Sequence, residues 1–217
     1  MGSLDVKVLM PPLARLRARL MQKISFIEPK HKAISVIDGF YTLSELAQIM
    51  DELQSLHAVL KLGIFSNSEV SLDENSKPKQ RSSSLFLDGF YGNQRGLSKI
   101  LSFNRKVFEG PVIKKLIEAN VFYKHLNHCN LDSTLINFYK QGDYYKAHMD
   151  DSCFTAITFF ELEKFNGGEL FFPEYKLSIE ALHNRVVIFP GFISHSAKEI
   201  ANGIRVSMAQ FINYKMM

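Results

Sequence analysis

The amino-acid sequence predicts an α+β protein with a mainly β core, in which supporting helices come first and a small antiparallel sandwich or barrel follows. Residues 42–60 place their apolar side chains at helical spacing. After about residue 121, short β-branched and aromatic runs alternate with Gly, Pro, Asn and Asp. With 217 residues and 46% apolar content, one sizeable core is feasible. We expect a single domain, 1–217, with a helical buttress and initial strands over 1–120 and the β core over 121–217.

The N-terminal elements follow from local patterns. Residues 12–24 alternate Leu with Arg and fit either a short amphipathic helix or an edge strand. Residues 33–40, AISVIDGF, are a short apolar run closed by Asp-Gly, which indicates a strand and a turn. Thr42 and, three residues later, Glu45 form a capping box that begins the helix predicted over residues 42–60.

The middle of the chain is polar and then helical. Residues 67–84 are Ser-rich and contain Pro78, which predicts a long loop, either a plain flexible insertion or a lid over a substrate groove. Helix is predicted over residues 96–120, with an interruption near Gly110-Pro111 because proline cannot continue a helix ladder. The strands of the β core are expected in STLINFYK, FTAITFFELE, GELFFPE, KLSIEAL, RVVIFPG and IRVSMAQFINY.

Composition excludes several classes of protein. The net charge of +4 comes mostly from scattered basic residues, so a solvated surface is preferred to a nucleic-acid patch. Two cysteines outside any CxxC pair exclude a disulfide framework and favour a reduced compartment. No apolar run approaches the roughly 20 residues that a bilayer span requires. We expect a soluble cytoplasmic protein with no membrane partner.

Four residues in the C-terminal half carry chemistry. His148 and Asp150 are two apart, so on a strand both side chains leave the same face and offer two metal ligands. His195 follows the turn residues after a predicted strand. Arg205 lies in an apolar strand and needs a counter-charge, which the carboxylate of a bound small molecule would supply by bidentate pairing. Ser207 shares the face of Arg205 and can donate to the same group.

Together these residues resemble a known family. Residues 134–213 resemble the double-stranded β-helix (jelly-roll or cupin-like) core of the 2-oxoglutarate/Fe(II) oxygenases, especially the prolyl 4-hydroxylase-like branch. The matching strings, which cover about half the chain at motif level, are His148-Met149-Asp150, His195, Arg205-Val206-Ser207, GGELFFPE (167–174) and VIDGFYTLSELAQIM (36–50).

The resemblance implies a set of cofactors. Fe(II) would be held by His148, Asp150 and His195, a facial triad of two imidazoles and one carboxylate. The cofactor 2-oxoglutarate would be bound by Arg205, with Ser207 and Tyr139 as helpers. Dioxygen is the other co-substrate, and ascorbate is a candidate reductant.

The resemblance also implies a reaction. An unactivated C–H of a peptidyl (prolyl-type) or small-molecule substrate would be hydroxylated, with release of succinate and CO2. Because Asp150 is present where halogenating relatives have a small residue, hydroxylation or demethylation is favoured. Phe159 occupies the place of a tyrosine that contacts the far carboxylate in the oxygen-sensing members.

Two other functions compete with this hypothesis. The first is an AlkB-like oxidative demethylase of nucleic acid, which Asn137-x-Tyr139 and His-x-Asp-Asp also resemble, although Phe211 stands where that branch has a second arginine. The second is a non-enzymatic or zinc-binding β-barrel, which has no use for a buried arginine. Asp151 is expected to face solvent or substrate. The group His125, His128 and Cys129 is expected to be a loop or surface feature rather than a zinc site.

Overall fold

The computed structural model describes residues 23–26, 33–63, 72 and 75–214. The first helix, α1 (Leu43–Lys61), begins where the capping box predicts. The Thr42 side chain accepts a hydrogen bond from the Glu45 N–H at 3.3 Å, and the Glu45 carboxylate accepts one from the Thr42 N–H at 2.7 Å. Ile49, Leu53 and Leu56 are buried on its inner side, in one cluster with strand residues such as Ile136 and Phe138.

Shorter helices follow, and one of them corrects the sequence-based expectation. They are α2 (Leu87–Tyr91), α3 (Lys99–Asn104), α4 (Gly110–Ala119) and the 3₁₀ helices Arg95–Leu97, Arg105–Phe108 and Val121–His128. Pro111 lies in the first turn of α4, where its missing N–H costs no helical hydrogen bond. The β core was expected to begin at about residue 121, and this was wrong, because residues 121–128 form a 3₁₀ helix capped by Asn120. Tyr123 and Leu126, three residues apart, are the buried side chains of this helix.

Twelve strands of the described residues form two antiparallel sheets. A seven-stranded sheet has the order β1-β2-β10-β7-β12-β5-β4, and a five-stranded sheet has the order β3-β6-β11-β8-β9. The strands are β1 (Lys23–Phe26), β2 (Ser35–Asp38), β3 (Gln80–Arg81), β4 (Ser83–Phe86), β5 (Cys129–Tyr139), β6 (Tyr144–His148), β7 (Phe154–Gly167), β8 (Leu170–Phe172), β9 (Leu177–Ile179), β10 (Arg185–Pro190), β11 (His195–Ala197) and β12 (Ile200–Tyr214).

The two sheets face each other across an apolar interior, as the double-stranded β-helix requires. Leu135, Ile157 and Phe159 of the larger sheet share one buried cluster with Leu170 and Phe172 of the smaller sheet. The six predicted strand segments all contain strands, so the predicted fold class is confirmed. Among the described residues, no helix combines the length and apolarity that crossing a bilayer would demand.

The Ser-rich segment is only partly a loop. Its last residues form β3 and β4, so the chain passes from the smaller sheet to the larger sheet at this point. The Gln80 amide nitrogen donates to Ser84 at 2.8 Å and to Asn137 at 2.7 Å, which ties the two sheets together. Residues 64–71 and 73–74 lie outside the described residues, so the lid over a substrate groove stays a prediction. Residues 12–22 of the Leu/Arg pattern also lie outside them, and residues 23–26 form β1.

The capping box gives a test of what begins α1. We expect Thr42→Ala to lower the free energy of unfolding by about 1 kcal/mol, because an orphan amide of the first turn loses its acceptor. The matched control is Ser44→Ala, an exposed position inside the same helix, where alanine should be neutral or slightly stabilising. Urea denaturation followed by circular dichroism measures both; equal losses in the two variants would contradict the capping role.

Candidate metal and co-substrate site

The two candidate histidine ligands lie on neighbouring strands. His148 ends β6 and His195 begins β11, and the two residues are direct antiparallel partners whose ring centroids lie 4.4 Å apart. Each Nδ1 lies near a backbone carbonyl: His148 Nδ1 is 2.8 Å from Lys146 O, and His195 Nδ1 is 3.1 Å from Ile193 O. A carbonyl can only accept, so each Nδ1 carries the proton and each Nε2 keeps a lone pair for a metal.

Asp150 joins the two histidines from a loop rather than from a strand. The expected shared strand face of His148 and Asp150 is therefore wrong, because β6 ends at His148. The Asp150 N–H donates to Gly191 O at 2.9 Å, and the Thr155 hydroxyl donates to Asp150 Oδ2 at 2.5 Å. These two bonds hold the carboxylate beside the imidazoles.

The three side chains converge on one point. Asp150 carboxylate oxygens lie 3.5 Å from His148 Nε2 and 3.4 Å from His195 Nε2, and one ligand atom of each residue lies within 4.8 Å of the others. Ligands about 2.1 Å from a shared ion would lie about 3 Å apart at right angles. This His–Asp–His cluster therefore fits a single divalent ion, and no second cluster of this kind occurs in the described part of the chain.

The electrostatics of the cluster suit a cation. Burial, and then the neighbouring His195, lower the pKa of His148 to about 4. The imidazole is therefore neutral near pH 7, which is the form that binds metal, and its contact with Asp150 is not an ion pair. A neutral His148 imidazole beside the Asp150 carboxylate suits a divalent ion.

Arg205 lies deeper in the barrel and has no counter-charge. Its residue is 1% exposed, and no described carboxylate forms an ion pair with it. The guanidinium carbon lies 4.3 Å from the Tyr139 ring centroid and 5.5 Å from that of Phe159, and one Nη donates to Gly168 O. The Nε has no hydrogen-bond partner at all. An unmatched buried cation is unfavourable, so this donor indicates an anionic ligand.

A pocket joins Arg205 to the His–Asp–His cluster. This inner pocket holds about 510 Å³ of space not occupied by protein atoms, and both groups line it. Ser207 and Tyr139 line it as well. Burial raises the pKa of Tyr139 to about 12, so the group stays a neutral phenol that can donate to a carboxylate. The donor set fits a diacid such as 2-oxoglutarate that reaches from the arginine to the metal.

Comparison with known proteins agrees with this geometry. Residues 134–213 match the family model described as the 2OG-Fe(II) oxygenase superfamily. The matched segment contains His148, Asp150, His195 and Arg205. That family implies Fe(II), 2-oxoglutarate and dioxygen as cofactors. No curated protein sequence matches the chain significantly.

Several solved structures that are similar to this chain are prolyl hydroxylases. A Pseudomonas putida prolyl-4-hydroxylase is 12% identical with a TM-score of 0.55, covering 85% of this chain and 94% of its own. A Trichoplax adhaerens prolyl hydroxylase in complex with a hypoxia inducible factor peptide is 16% identical with a TM-score of 0.58, covering 85% of both chains. A viral collagen prolyl hydroxylase of Paramecium bursaria Chlorella virus-1 is 20% identical with a TM-score of 0.52, covering 84% of this chain and 97% of its own. At these identities the likeness shows the fold.

Two residues of the oxygenase site were not found from the sequence. Gly168 has φ +73°, and a Cβ there would lie 2.2 Å from Ile200 Cδ1 and 3.1 Å from an Arg205 Nη. Only glycine therefore lets the backbone carbonyl reach the guanidinium, and the Gly-Gly pair before a strand was the available signal. Thr155 holds Asp150, and its signal was a hydroxyl on the otherwise apolar inner face of FTAITFF.

A wider opening lies outside the cluster. This outer groove holds about 800 Å³ and shares Tyr145, His148 and Asp150 with the inner pocket. Asp151 is exposed and lines the groove, in agreement with its expected place beside solvent or substrate. The remaining groove residues are three apolar side chains, two polar ones and one cation: Phe86, Met149, Phe211, Ser133, Asn213 and Lys79. Phe211 also lines the inner pocket.

Metal binding tests the cluster directly. We expect wild-type protein to bind one Mn(II), and Asp150→Asn to weaken that binding by more than about 100-fold, since even residues that only orient a metal ligand typically contribute 10–100-fold. Asp151→Asn is the matched control, because this neighbouring carboxylate lies outside the cluster and should leave the affinity unchanged. Isothermal titration calorimetry measures all three proteins. Equal weakening in both variants would rule out Asp150 as a specific ligand.

Proposed function

We propose that the protein is an Fe(II)- and 2-oxoglutarate-dependent dioxygenase that hydroxylates an unactivated C–H of a peptidyl, prolyl-type or small-molecule substrate and releases succinate and CO2. The observation that carries this proposal is the buried Arg205, whose Nε lacks a partner at the end of a pocket that opens onto the His–Asp–His cluster. A structural metal site has no use for such a cation.

The proposal gives each site residue a role. His148, Asp150 and His195 hold Fe(II) on one face and leave positions open for the co-substrates. Arg205, helped by Ser207 and Tyr139, binds the far carboxylate of 2-oxoglutarate. When bound, iron, 2-oxoglutarate and dioxygen supply the oxidising power, and the protein supplies orientation and protection from competing reactions.

The apolar walls of the inner pocket support these proposed roles of the protein. Leu135, Ile157, Phe159, Leu170 and Ala209 line it and are largely buried. Their low polarity strengthens the attraction between a guanidinium and a carboxylate, because fewer water molecules screen the charges. The same walls keep water away from the reacting atoms.

The proposal treats residues 1–217 as one oxygenase domain. Three strands that precede residue 121 pair with strands of the core: β2 with β10, β3 with β6, and β4 with β5. The N-terminal half therefore adds strands at the edges of both sheets.

The substrate class is proposed from the outer groove. Similar folds occur in a collagen prolyl hydroxylase and in a prolyl hydroxylase complexed with a peptide. The groove is open and is bordered by Phe86, Met149 and Phe211, which suits an uncharged side chain presented by a larger molecule. Phe211 contacts Phe86 with ring centroids 6.3 Å apart, in place of the second arginine of the AlkB-like demethylases. This apolar edge favours a peptidyl or neutral substrate over a methylated nucleobase.

The anchor is tested by separating stability from ligand binding. We expect Arg205→Met to leave the free energy of unfolding unchanged or raised without ligand, because it removes a buried cation whose Nε has no hydrogen-bond partner and which forms no ion pair with a described carboxylate. The same variant should no longer be stabilised by 2-oxoglutarate in the presence of Mn(II). Wild type should gain about 2.7 kcal/mol at a ligand concentration of 100 times Kd.

The control for this measurement is another strand arginine. Arg185→Met removes a half-buried guanidinium that lies outside the site and whose Nε is 2.6 Å from the Asp38 carboxylate. That variant should keep the full response of thermal unfolding to 2-oxoglutarate. Undiminished stabilisation of Arg205→Met would show that the co-substrate binds elsewhere.

The reaction is tested by following both products. Protein with Fe(II), 2-oxoglutarate, ascorbate and air is offered proline-containing peptides, small amides and methylated oligonucleotides. We expect succinate formation to rise with a peptide or small molecule that gains one oxygen atom by mass spectrometry. Turnover confined to methylated oligonucleotides would instead establish the demethylase. Succinate formation that persists in His195→Ala would refute the assigned iron ligands.

A further inference from the structure

A β-bulge places Tyr145 on the same face of β6 as His148. Residues three apart on a regular strand point to opposite faces. In the pairing of β6 with β11, His148 is opposite His195 and Tyr145 is opposite Ala197. Two residues of β6 therefore lie opposite the single intervening residue Ser196. The extra residue turns Tyr145 inward, where it lines both the inner pocket and the outer groove.

The ring of Tyr145 stacks on the imidazole of His148. Their centroids are 3.7 Å apart and their planes differ by 16°. The His148 imidazole also lies near His195, with ring centroids 4.4 Å apart and planes tilted by 51°. Its Nδ1 lies 2.8 Å from the Lys146 carbonyl.

The two histidines receive unequal support from the rest of the core. The His195 side chain is 4% exposed and contacts Phe189 and Phe172, with ring centroids at 4.8 Å and 6.3 Å. The His148 side chain is 14% exposed and lies at the border of the open groove. Tyr145 stacks nearly parallel to the His148 ring, whereas the His195 ring is tilted by 51° against it. We therefore expect the Tyr145 ring to restrain rotation of the His148 imidazole.

We propose that Tyr145 is a positioning residue of the metal centre, whose ring fixes the plane of the His148 imidazole so that Nε2 points at the shared ion. The same ring lines both the inner pocket and the outer groove. This inference rests on the proposed iron site and adds a residue that touches neither the ion nor the 2-oxoglutarate anchor. The stacking surface carries the effect, and the phenol hydroxyl does not.

Co(II) binding tests the inference without turnover, since the visible absorption of Co(II) reports both affinity and ligand geometry. Tyr145→Leu should weaken Co(II) binding about 10-fold and alter the absorption bands, as expected when the support of a metal ligand is removed. Tyr145→Phe should stay within about twofold of wild type, because its ring keeps the stacking surface.

The matched control lies one residue earlier on the same strand. Tyr144 lines neither the inner pocket nor the outer groove and pairs with Arg81 on the neighbouring strand. Tyr144→Leu makes the same chemical change in the same sheet and should leave Co(II) affinity and absorption unchanged. Tyr145→Met, which also lacks a ring but fills irregular space, serves if Tyr145→Leu fails to fold.

The outcomes separate this inference from the proposed function. If wild type binds no Co(II), the proposed metal site itself is wrong and the inference falls with it. If wild type binds but Tyr145→Leu and Tyr145→Met bind equally well, only the positioning role is refuted. If Tyr145→Phe is weakened as much as Tyr145→Leu, the hydroxyl is responsible and the stacking inference is refuted.

Discussion

The site depends on one buried guanidinium that the protein does not neutralise. Arg205 lies against the Tyr139 ring and donates to Gly168, yet its Nε has no partner. A cation in such surroundings lowers the stability of the folded protein unless a ligand supplies the missing charge. The protein thus keeps a buried cation that lowers its own stability and favours the binding of an anionic ligand, as binding sites commonly do.

The metal ligands show how much rigidity each element provides. His148 and His195 come from paired strands, whose register fixes their separation. Asp150 comes from a loop and needs Thr155 and the Gly191 carbonyl to hold it in place. The strand pairing therefore fixes the distance between the two histidines. Beyond the end of β6, a side-chain and a backbone hydrogen bond fix the position of Asp150.

Local elements could be predicted because their causes lie within a few residues. The capping box of α1 and the apolar runs of the six strand segments are of this kind. The predictions failed where distant contacts decide the conformation. Residues 80–86 became strands because β5 and β6 offer partners, and residues 121–128 became a 3₁₀ helix because Tyr123 and Leu126 enter the core.

The sequence by itself determined the chemistry of the candidate site: two imidazoles, one carboxylate and an arginine whose apolar strand demands an anion. Only the tertiary structure decided how they meet. Asp150 leaves the strand, a bulge brings Tyr145 onto His148, and Gly168 makes room for the guanidinium. Ligand types are properties of single residues, whereas their convergence depends on the register between strands far apart in the chain, which no local pattern encodes.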